Sequence, residues 1–343
     1  MTIRVAHIYA ASAKSNSGDY MIGVAYKAYF KECILQKTDV MFVDFDCRVA
    51  ALFDSSLAIN KLNQFDYLLV GGGGLVLPDT NPNSISCWQW VISTSNLEKL
   101  TSPIYVLGLG YNTFFGQTML MPNHTTNHID PKRESILRTN LSTLIRKADR
   151  FTMRHKADVS SMTQLVGMDL SERISYEMCA THWYATTHWH PNTKPRPDLF
   201  AIEIKDDRQW RRYHKIGQSK AYAGFLIAIK QLLAQGKRVC YLSHDGSRNF
   251  HDYAIRNGVR LPYLDNATGK EEAIRHNYEQ IGTLLCMAGH SQIIGHAMGC
   301  HTLALVTHPK TKNFCDDIGS TDYVMVNDYN NPMQLAKAIA DKM

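Results

Sequence analysis

The chain has 343 residues, of which 45% are apolar and 20% are charged, and its formal net charge is +6. This composition is typical of a globular protein of about two domains and excludes a disordered, collagenous or coiled-coil chain. The basic residues are scattered, which argues against a nucleic-acid-binding arm and is compatible with a small anionic substrate.

The compartment is predicted from apolar runs and cysteine usage. No apolar run approaches the roughly 18–20 residues that span a bilayer, and the first ten residues predict a strand rather than a signal peptide. The eight cysteines form no CxxC pair, and most of them have apolar neighbours, which favours free thiols in a reducing compartment. We therefore expect a cytoplasmic protein without a membrane span.

The first part of the chain alternates short apolar runs with amphipathic segments. Apolar runs such as Tyr67–Val70 and Ile104–Leu107 show no polar alternation, which is typical of parallel strands covered on both faces. The predicted strands are 2–9, 38–44, 65–70, 103–108 and 149–153. The predicted helices are 19–34, 84–98, 132–147 and 157–166.

A stretch rich in histidine, tryptophan and proline, residues 179–198, predicts a crossing between two domains. Beyond it the predicted strands are 199–204, 238–243, 260–263, 292–295, 303–307 and 322–326, and the predicted helices are 219–235, 248–257, 270–289 and 331–342. The predicted fold class is α/β, with two Rossmann-like domains facing a cleft. Residues 1–180 are predicted to form the N-terminal domain and residues 199–330 the C-terminal domain. The prediction leaves open whether the final helix, 331–343, packs back on the N-terminal domain.

Glycines end two neighbouring strands of the first predicted sheet. Gly71–Gly74 directly follow Val70, and the next strand ends in Gly108 and Gly110. Residues without a Cβ let main-chain N–H groups approach a phosphate or carboxylate, and open α/β sheets bind ligands at this edge. A tight turn packed inside the fold is the alternative. We predict a donor site that includes Gly72, Gly73, Gly74 and Gly110.

Polar residues after other strands are further candidates. Asn16 and Asp19 follow the first strand, and Asp19 is a candidate catalytic base or sugar ligand. The alternative is that Asp19 or Ser17 only caps the next helix. Arg154 follows strand 149–153 and can bind a carboxylate or phosphate with two N–H groups, unless it forms a surface ion pair.

The segment from Ser291 to Lys312 holds the main candidate for proton transfer. Apolar Ile293–Ile294 predict a strand that ends near His296, so this imidazole would face the cleft as a catalytic acid or base. Lys310 follows the next strand and is predicted as a second cationic contact for the donor.

A metal site is one explanation of the histidines in the crossing segment. His182, His188 and His190 include an HxH pair, but apart from Cys179 no cysteine or carboxylate cluster accompanies them. We therefore expect no metal and no cofactor.

Taken in chain order, four segments resemble the polysaccharide pyruvyl transferase family. They are Asn16–Asp19 before a helix, Phe65–Gly74, Ala148–Arg154 with Ser160 and Leu165 beyond, and His308–Lys310 with Phe314 and Ile318–Gly319 beyond. The resemblance implies a GT-B-like fold and a transfer of the enolpyruvyl group of phosphoenolpyruvate onto two hydroxyls of a sugar, as a pyruvate ketal. It also implies that Arg154 binds the donor, that His296 is the general acid of the family's Arg-x-His motif, and that Lys310 lies near the donor.

One departure from the family pattern supports an alternative. Position 294 is Ile where the Arg-x-His motif has arginine, which favours a GT-B glycosyltransferase with a nucleotide-sugar donor. A glycan-binding protein without catalysis is a third hypothesis. The predicted acceptor residues are Asn16, Tyr111 and Asn112. The residues of the loop 111–131 do not indicate which sugar is the acceptor. The sequence is compatible with a homo-oligomer but does not determine the oligomeric state.

Overall fold

The structure, a computed structural model, describes residues 2–11, 16–78, 81–114, 130–190 and 198–343. The described residues divide into two compact units, 2–11 with 22–180 and 16–21 with 181–343. Each unit has its own sheet and its own apolar core. The α/β class with two Rossmann-like domains is therefore confirmed. Most of the predicted acceptor loop, residues 115–129, lies outside the described residues.

The first unit is built on a parallel sheet. Its strands are β1 (Ile3–Tyr9), β2 (Val40–Asp46), β3 (Tyr67–Val76), β4 (Ile104–Tyr111), β5 (Ala148–Met153) and β6 (Ser175–Tyr176). They lie in the order β2-β1-β3-β4-β5-β6. The direction of strand succession reverses between β1 and β3, and open α/β sheets bind ligands outside the carboxyl ends of the strands at such a switch point.

The helices of the first part of the chain follow the predicted pattern with two exceptions, an unpredicted helix before β3 and a shortened helix before β4. They are α1 (Ser17–Tyr29), α2 (Ser56–Leu62), α3 (Thr94–Glu98), α4 (Pro131–Lys147) and α5 (Lys156–Val166). The Asp130 side chain caps α4 by accepting from the N–H of Lys132, and Pro131 takes the first helical position. The helix predicted at 84–98 exists only as α3. Asn83 and Ser86 bind main-chain groups locally and hold the preceding residues in turns.

The second unit carries the other parallel sheet. Its strands are β7 (Leu199–Glu203), β8 (Arg238–Ser243), β9 (Tyr263–Asp265), β10 (Thr283–Cys286), β11 (His301–Val306) and β12 (Tyr323–Met325). They lie in the order β12-β11-β10-β7-β8-β9, so the switch point lies between β7 and β10. Its helices are α6 (Ala180–His188), α7 (Gln209–Arg212), α8 (Gln218–Ala234), α9 (Asn249–Arg256), α10 (Glu271–Glu279), α11 (Gly289–Ala297), α12 (Pro309–Asp317) and α13 (Pro332–Ala340).

Two predicted elements of the second unit are wrong. The helix predicted at 270–289 ends at Glu279 and is followed by strand β10, and the strand predicted at 292–295 is part of helix α11. The strand β10 has only four residues, and a short apolar run fits a buried strand and a buried helix equally well. This shift moves the carboxyl end of the strand from position 295 to Cys286.

The crossing segment and the final helix also differ from the prediction. Residues 180–188 form α6, and Trp189 after it donates from Nε1 to Glu271 at 2.7 Å. Pro191, Pro195 and Pro197 lie outside the described residues. Helix α13 packs on α8 of its own unit, and the suggested return to the N-terminal domain stays a prediction. At Gly224 of α8 a Cβ would lie 2.8 Å from the Leu335 side chain, so a glycine allows the two helices to approach closely.

Candidate functional site

A buried carboxyl group fixes the turn between β10 and α11 at the switch point of the second sheet. Glu203, the last residue of β7, is fully buried, and its Oε2 accepts from the main-chain N–H groups of Met287 (2.9 Å) and Ala288 (2.7 Å). Burial raises the pKa of Glu203 to about 7, against the opposing effect of Lys205. Because Glu203 binds the residues just before the helix, the first turn of α11 is held at the carboxyl edge of the sheet.

His244, directly after β8, ties two other segments to this edge. Its Nδ1 lies 3.0 Å from Ser17 Oγ and 2.9 Å from Ser291 Oγ, and its main-chain oxygen accepts from the N–H of Ser17 at 3.1 Å. Burial, and then the ammonium groups of Lys205 and Lys310, lower the pKa of His244 well below its ordinary value. The imidazole is therefore neutral near pH 7, and its hydrogen bonds connect the loop after β8 to Ser17 and Ser291.

The first turn of α11 contains a histidine, and a lysine side chain packs on the same turn. The Lys310 side chain lies against Gly289, where a Cβ would be 3.4 Å from it. His290, the next residue, lies against Gly18, where a Cβ would come within 2.5 Å of the imidazole Nδ1. Helix N-termini carry partial positive charge and unpaired N–H groups. The arrangement is thus suited to a phosphate or carboxylate beside an imidazole.

An ion cluster completes this edge of the second sheet. Asp207 binds Arg212 at 2.7 Å and lies 3.8 Å from Lys205, which also pairs with Asp245. Burial works to raise the pKa of Asp207, but Arg212, Lys205 and Arg208 outweigh it and hold that pKa well below its usual range. Sequence reasoning did not select Lys205, His244 or His290. Their positions within a few residues of the ends of strands β7, β8 and β10 are the signal that would have found them.

His296, the predicted catalytic residue, lies elsewhere. It belongs to the last turn of α11 rather than to a strand end, because the strand it was assigned to is a helix. Its Nδ1 lies 3.1 Å from His182 Nε2, and its ring forms a T-shaped contact with the ring of Phe314. The first turn of α11, with His290, is the end that follows β10. The prediction that His296 lies at the end of a strand is therefore wrong, and this predicted position is the reason for assigning it a catalytic role.

The pair of His182 and His296 leads to a pH prediction. Burial, and then the charge of His296, lower the pKa of His182 from 6.5 to about 4, and burial lowers that of His296. The neutral pair thus stabilises the fold above about pH 6.5, and this contribution is lost as the pH falls towards 4. We expect the wild-type free energy of unfolding to fall more steeply over that range than in His182→Gln. Urea denaturation at pH 7, 5.5 and 4 checks this, and parallel curves would contradict it.

Arg154 lies at the carboxyl end of the first sheet, as predicted. It follows β5 and is almost fully buried. One guanidinium nitrogen donates to Asn112 Oδ1 at 2.8 Å, and Nε lies 3.9 Å from the buried carboxylate of Asp158. The surface ion pair considered as an alternative is excluded by this burial. Asn112, a predicted acceptor residue, is thereby engaged by Arg154 and follows β4, which ends at Tyr111.

The glycines of β3 and β4 are explained by close packing. A Cβ at Gly72 would lie 2.4 Å from the Ile22 side chain, and one at Gly73 would lie 2.7 Å from it, so α1 covers both. At Gly74 a Cβ would lie 1.7 Å from the Asn112 amide, and at Gly110 it would lie 2.5 Å from Arg154 Nε. The expectation of open backbone is therefore wrong at Gly72 and Gly73. A role of these glycines in donor binding stays a prediction.

Of the remaining predicted residues, Tyr111 ends β4, and Asn16 and Asp19 lie at the start of α1. Asn16, rather than Ser17 or Asp19, caps this helix: its Oδ1 accepts from the N–H groups of Gly18 (3.0 Å) and Asp19 (3.3 Å). Asp19 lies in the first helical turn. The base and acceptor roles of Asp19, Asn16 and Tyr111 stay predictions.

The described residues contain neither a cluster of metal ligands nor a membrane-spanning helix. Within the described ranges, no three or more His, Cys, Asp and Glu side chains are grouped so that they could hold a metal ion. None of the helices in the part of the chain that the structure describes has the length and apolar character to cross a membrane.

Comparison with known proteins identifies relatives by fold only. No family model and no curated protein matches the sequence. Among solved structures, a putative UDP-N-acetylglucosamine 2-epimerase from Listeria monocytogenes is similar with a TM-score of 0.54 at 11% identity, covering 100% of this chain and 88% of that one. UDP-N-acetylglucosamine 2-epimerase from Rickettsia bellii gives 0.53 at 9% identity, covering 99% and 88%.

A third similar structure contains ligands. UDP-GlcNAc 2-epimerase from Methanocaldococcus jannaschii, in complex with UDP-GlcNAc and UDP, gives a TM-score of 0.51 at 9% identity and covers 99% of this chain and 92% of that one. At these identities the similarity establishes the fold alone. The chain has two Rossmann-like domains of the GT-B type.

Proposed function

We propose that this chain is a GT-B-type transferase that takes a group from a phosphate-bearing donor and places it on a sugar or glycan. The observation that carries the proposal is the first turn of α11, where Lys310 lies on Gly289 beside His290 at the switch point of the second sheet. Main-chain N–H groups and a lysine bind phosphate oxygens, and an adjacent imidazole can transfer a proton.

A nucleotide sugar is the donor that we put first. The similar epimerase from M. jannaschii was solved with UDP-GlcNAc and UDP, and its fold is the one found here. In this proposal the diphosphate lies at the N-terminus of α11, with Lys310 and Lys205 balancing its charge. His290 replaces His296 as the proton-transferring residue. Glu203 and His244 position the turn and do not contact the reacting atoms.

Phosphoenolpyruvate is the second candidate donor, and one observation favours it. The carboxylates at this sheet edge are already engaged: Asp206 accepts from Ser247 Oγ at 2.9 Å, Asp207 binds Arg212, and Asp245 binds Lys205. A ribose is commonly held by a carboxylate that accepts from its hydroxyls. A donor without ribose needs only the cationic and N–H groups, and its enolpyruvyl group would be transferred as a pyruvate ketal.

A thermal-shift experiment on the full chain tests both donors. UDP-GlcNAc, UDP, phosphoenolpyruvate and inorganic phosphate are the probes, because a ligand at about 100 times its Kd stabilises the fold by about 2.7 kcal/mol. Lys310→Ala should weaken binding of the productive donor by about 10–100-fold, as expected for one charge-assisted contact. Lys312→Ala, two residues further on and paired with Asp316, is the matched control and should bind as the wild type does.

Mass spectrometry of a glycan acceptor then separates the two reactions. A glycosyl transfer adds the mass of a sugar residue, and a ketal adds the mass of pyruvate less water. If none of the probes raises the melting temperature and no acceptor gains mass, the transferase proposal is wrong. Saturable glycan binding without any product would support the non-catalytic hypothesis instead.

A further inference from the structure

The first unit contains a cavity that the groups described above do not use. Its volume is about 440 Å³, within the range of small-molecule sites. It lies between the loops that follow β2 and β3, which flank β1 at the switch point of this sheet. Its lining consists of Arg48, Leu77, Asn81, Pro82, Asn83, Ser84, Ile85, Gln89 and Val91.

We propose that this cavity binds a neutral sugar unit of the acceptor glycan, an inference that rests on the transferase function proposed above. Gln89 is half-buried, and within the described ranges no protein group bonds its side-chain amide. The same holds for the Asn81 Nδ2 and the Ser84 hydroxyl, again counting only described residues. Amides and hydroxyls both donate and accept, as the vicinal hydroxyls of a sugar require.

The apolar part of the lining fits the same ligand class. Leu77, Ile85 and Val91 present aliphatic groups to the cavity. A sugar ring has C–H groups as well as hydroxyls, so a site that combines aliphatic contacts with a few placed polar groups binds it with orientation. A purely ionic ligand would gain nothing from the aliphatic groups.

The charge of the cavity favours a neutral ligand over an anionic one. Arg48 is the charged residue of the lining, and its guanidinium is paired with the Asp46 carboxylate through contacts of 2.9 and 3.0 Å. No carboxylate belongs to the lining among the described residues. An anion would have to compete with Asp46 for the guanidinium, whereas a hydroxyl can accept from it without breaking the ion pair.

The loop that forms the cavity is held in place before any ligand binds. The buried Arg133 donates to the main-chain oxygens of Asn81 (2.7 Å) and Asn83 (3.1 Å), and Trp88 Nε1 donates to Asn140 Oδ1 at 2.8 Å. Cys87 adopts a left-handed conformation with φ of 63°, which only such surrounding contacts maintain. A preformed site binds with a smaller loss of conformational entropy.

Direct binding of simple glycosides to the full chain, without a donor, tests the proposal. The probes are the methyl β-glycosides of glucose, galactose, mannose and N-acetylglucosamine, with methyl β-glucuronide as the anionic comparison, followed by saturation-transfer NMR and calorimetric titration. We expect at least one neutral glycoside to bind and Gln89→Leu to weaken its binding by about tenfold or more, because a polar partner is lost. Gln64→Leu is the matched control: it is exposed, precedes β3 at the opposite sheet edge, and should leave binding unchanged.

The outcomes separate this proposal from the transferase function. If no neutral glycoside binds, if the glucuronide binds more tightly, or if Gln89→Leu binds as the wild type does, the cavity proposal is wrong even when a donor is turned over. Glycoside binding that depends on Gln89 in a protein that turns over no donor supports the cavity and contradicts the transferase. Should Gln89→Leu fail to fold, Ser84→Ala at an exposed position makes the same comparison.

Discussion

Replacing His290 with glutamine is expected to lower turnover by about 10²–10⁴-fold, the usual contribution of a general acid or base. His290 lies in the first turn of α11, beside Gly289 and the Lys310 side chain, where the donor phosphate is proposed to bind. Glutamine keeps a hydrogen-bonding group of similar length but cannot exchange a proton near neutral pH. The melting temperature should therefore stay near that of the wild type while kcat falls.

The matched control is the same substitution at the other end of the same helix. His296→Gln changes the residue that contacts His182 and Phe314, and turnover should stay within about twofold of the wild type, since only a positioned acid or base gives the large factor. Turnover is measured by mass spectrometry of the acceptor with whichever donor is productive. If His296→Gln abolishes turnover and His290→Gln does not, the assignment of the proton-transferring residue is overturned.

Replacing Arg154 with alanine is expected to lower the free energy of unfolding by about 3–5 kcal/mol, as found when one partner of a buried ion pair is removed. The guanidinium lies beside the buried Asp158 carboxylate and donates to Asn112, and its side chain is 3% exposed. Alanine removes the cation beside Asp158 and leaves a hole against Gly110. Urea denaturation followed by circular dichroism measures the effect.

Two further variants show whether burial causes this loss. Arg146→Ala removes an arginine whose side chain is 58% exposed and which lies 3.7 Å from Asp169; such surface pairs contribute about 0–1 kcal/mol. Arg154→Lys keeps the charge but loses the fork of N–H groups, and its stability should fall between the wild type and Arg154→Ala. A loss below about 1 kcal/mol in Arg154→Ala would mean that this cluster does not hold the edge of the sheet together. The donor affinity of Arg154→Lys then tests the predicted role of this residue in donor binding.

The new positions of the histidines change the chemistry proposed for the second unit. Assigning the strand to 292–295 places His296 just after a strand end, whereas the strand at Thr283–Cys286 places His290 in the first turn of the helix that follows it. Lys310 keeps its predicted position after β11, and the structure adds the main-chain N–H groups of α11 beside it. The proposed proton-transferring residue of the second unit therefore changes from His296 to His290, whereas Lys310 keeps its proposed role.

The general architecture could be predicted from sequence because it depends on local patterns. Apolar runs such as Tyr67–Val70 are recognisable as doubly covered strands, and helices such as Gln218–Ala234 carry an apolar face over several turns. Arg154 could be placed at a sheet edge because it directly follows a strand. These features need only the identity of neighbouring residues.

The residues that come together at the site could be identified only from the tertiary structure. The four residues of β10 are too few to distinguish a strand from a helix by periodicity, and that choice determines which histidine faces the sheet edge. The contacts between Ser17 and His244 join residues 227 positions apart, and Glu203 binds the turn at Met287 across the sheet. Sequence determined the local elements because backbone propensity and apolar pattern act over a few residues, whereas the pairing of polar groups depends on how distant strands come together.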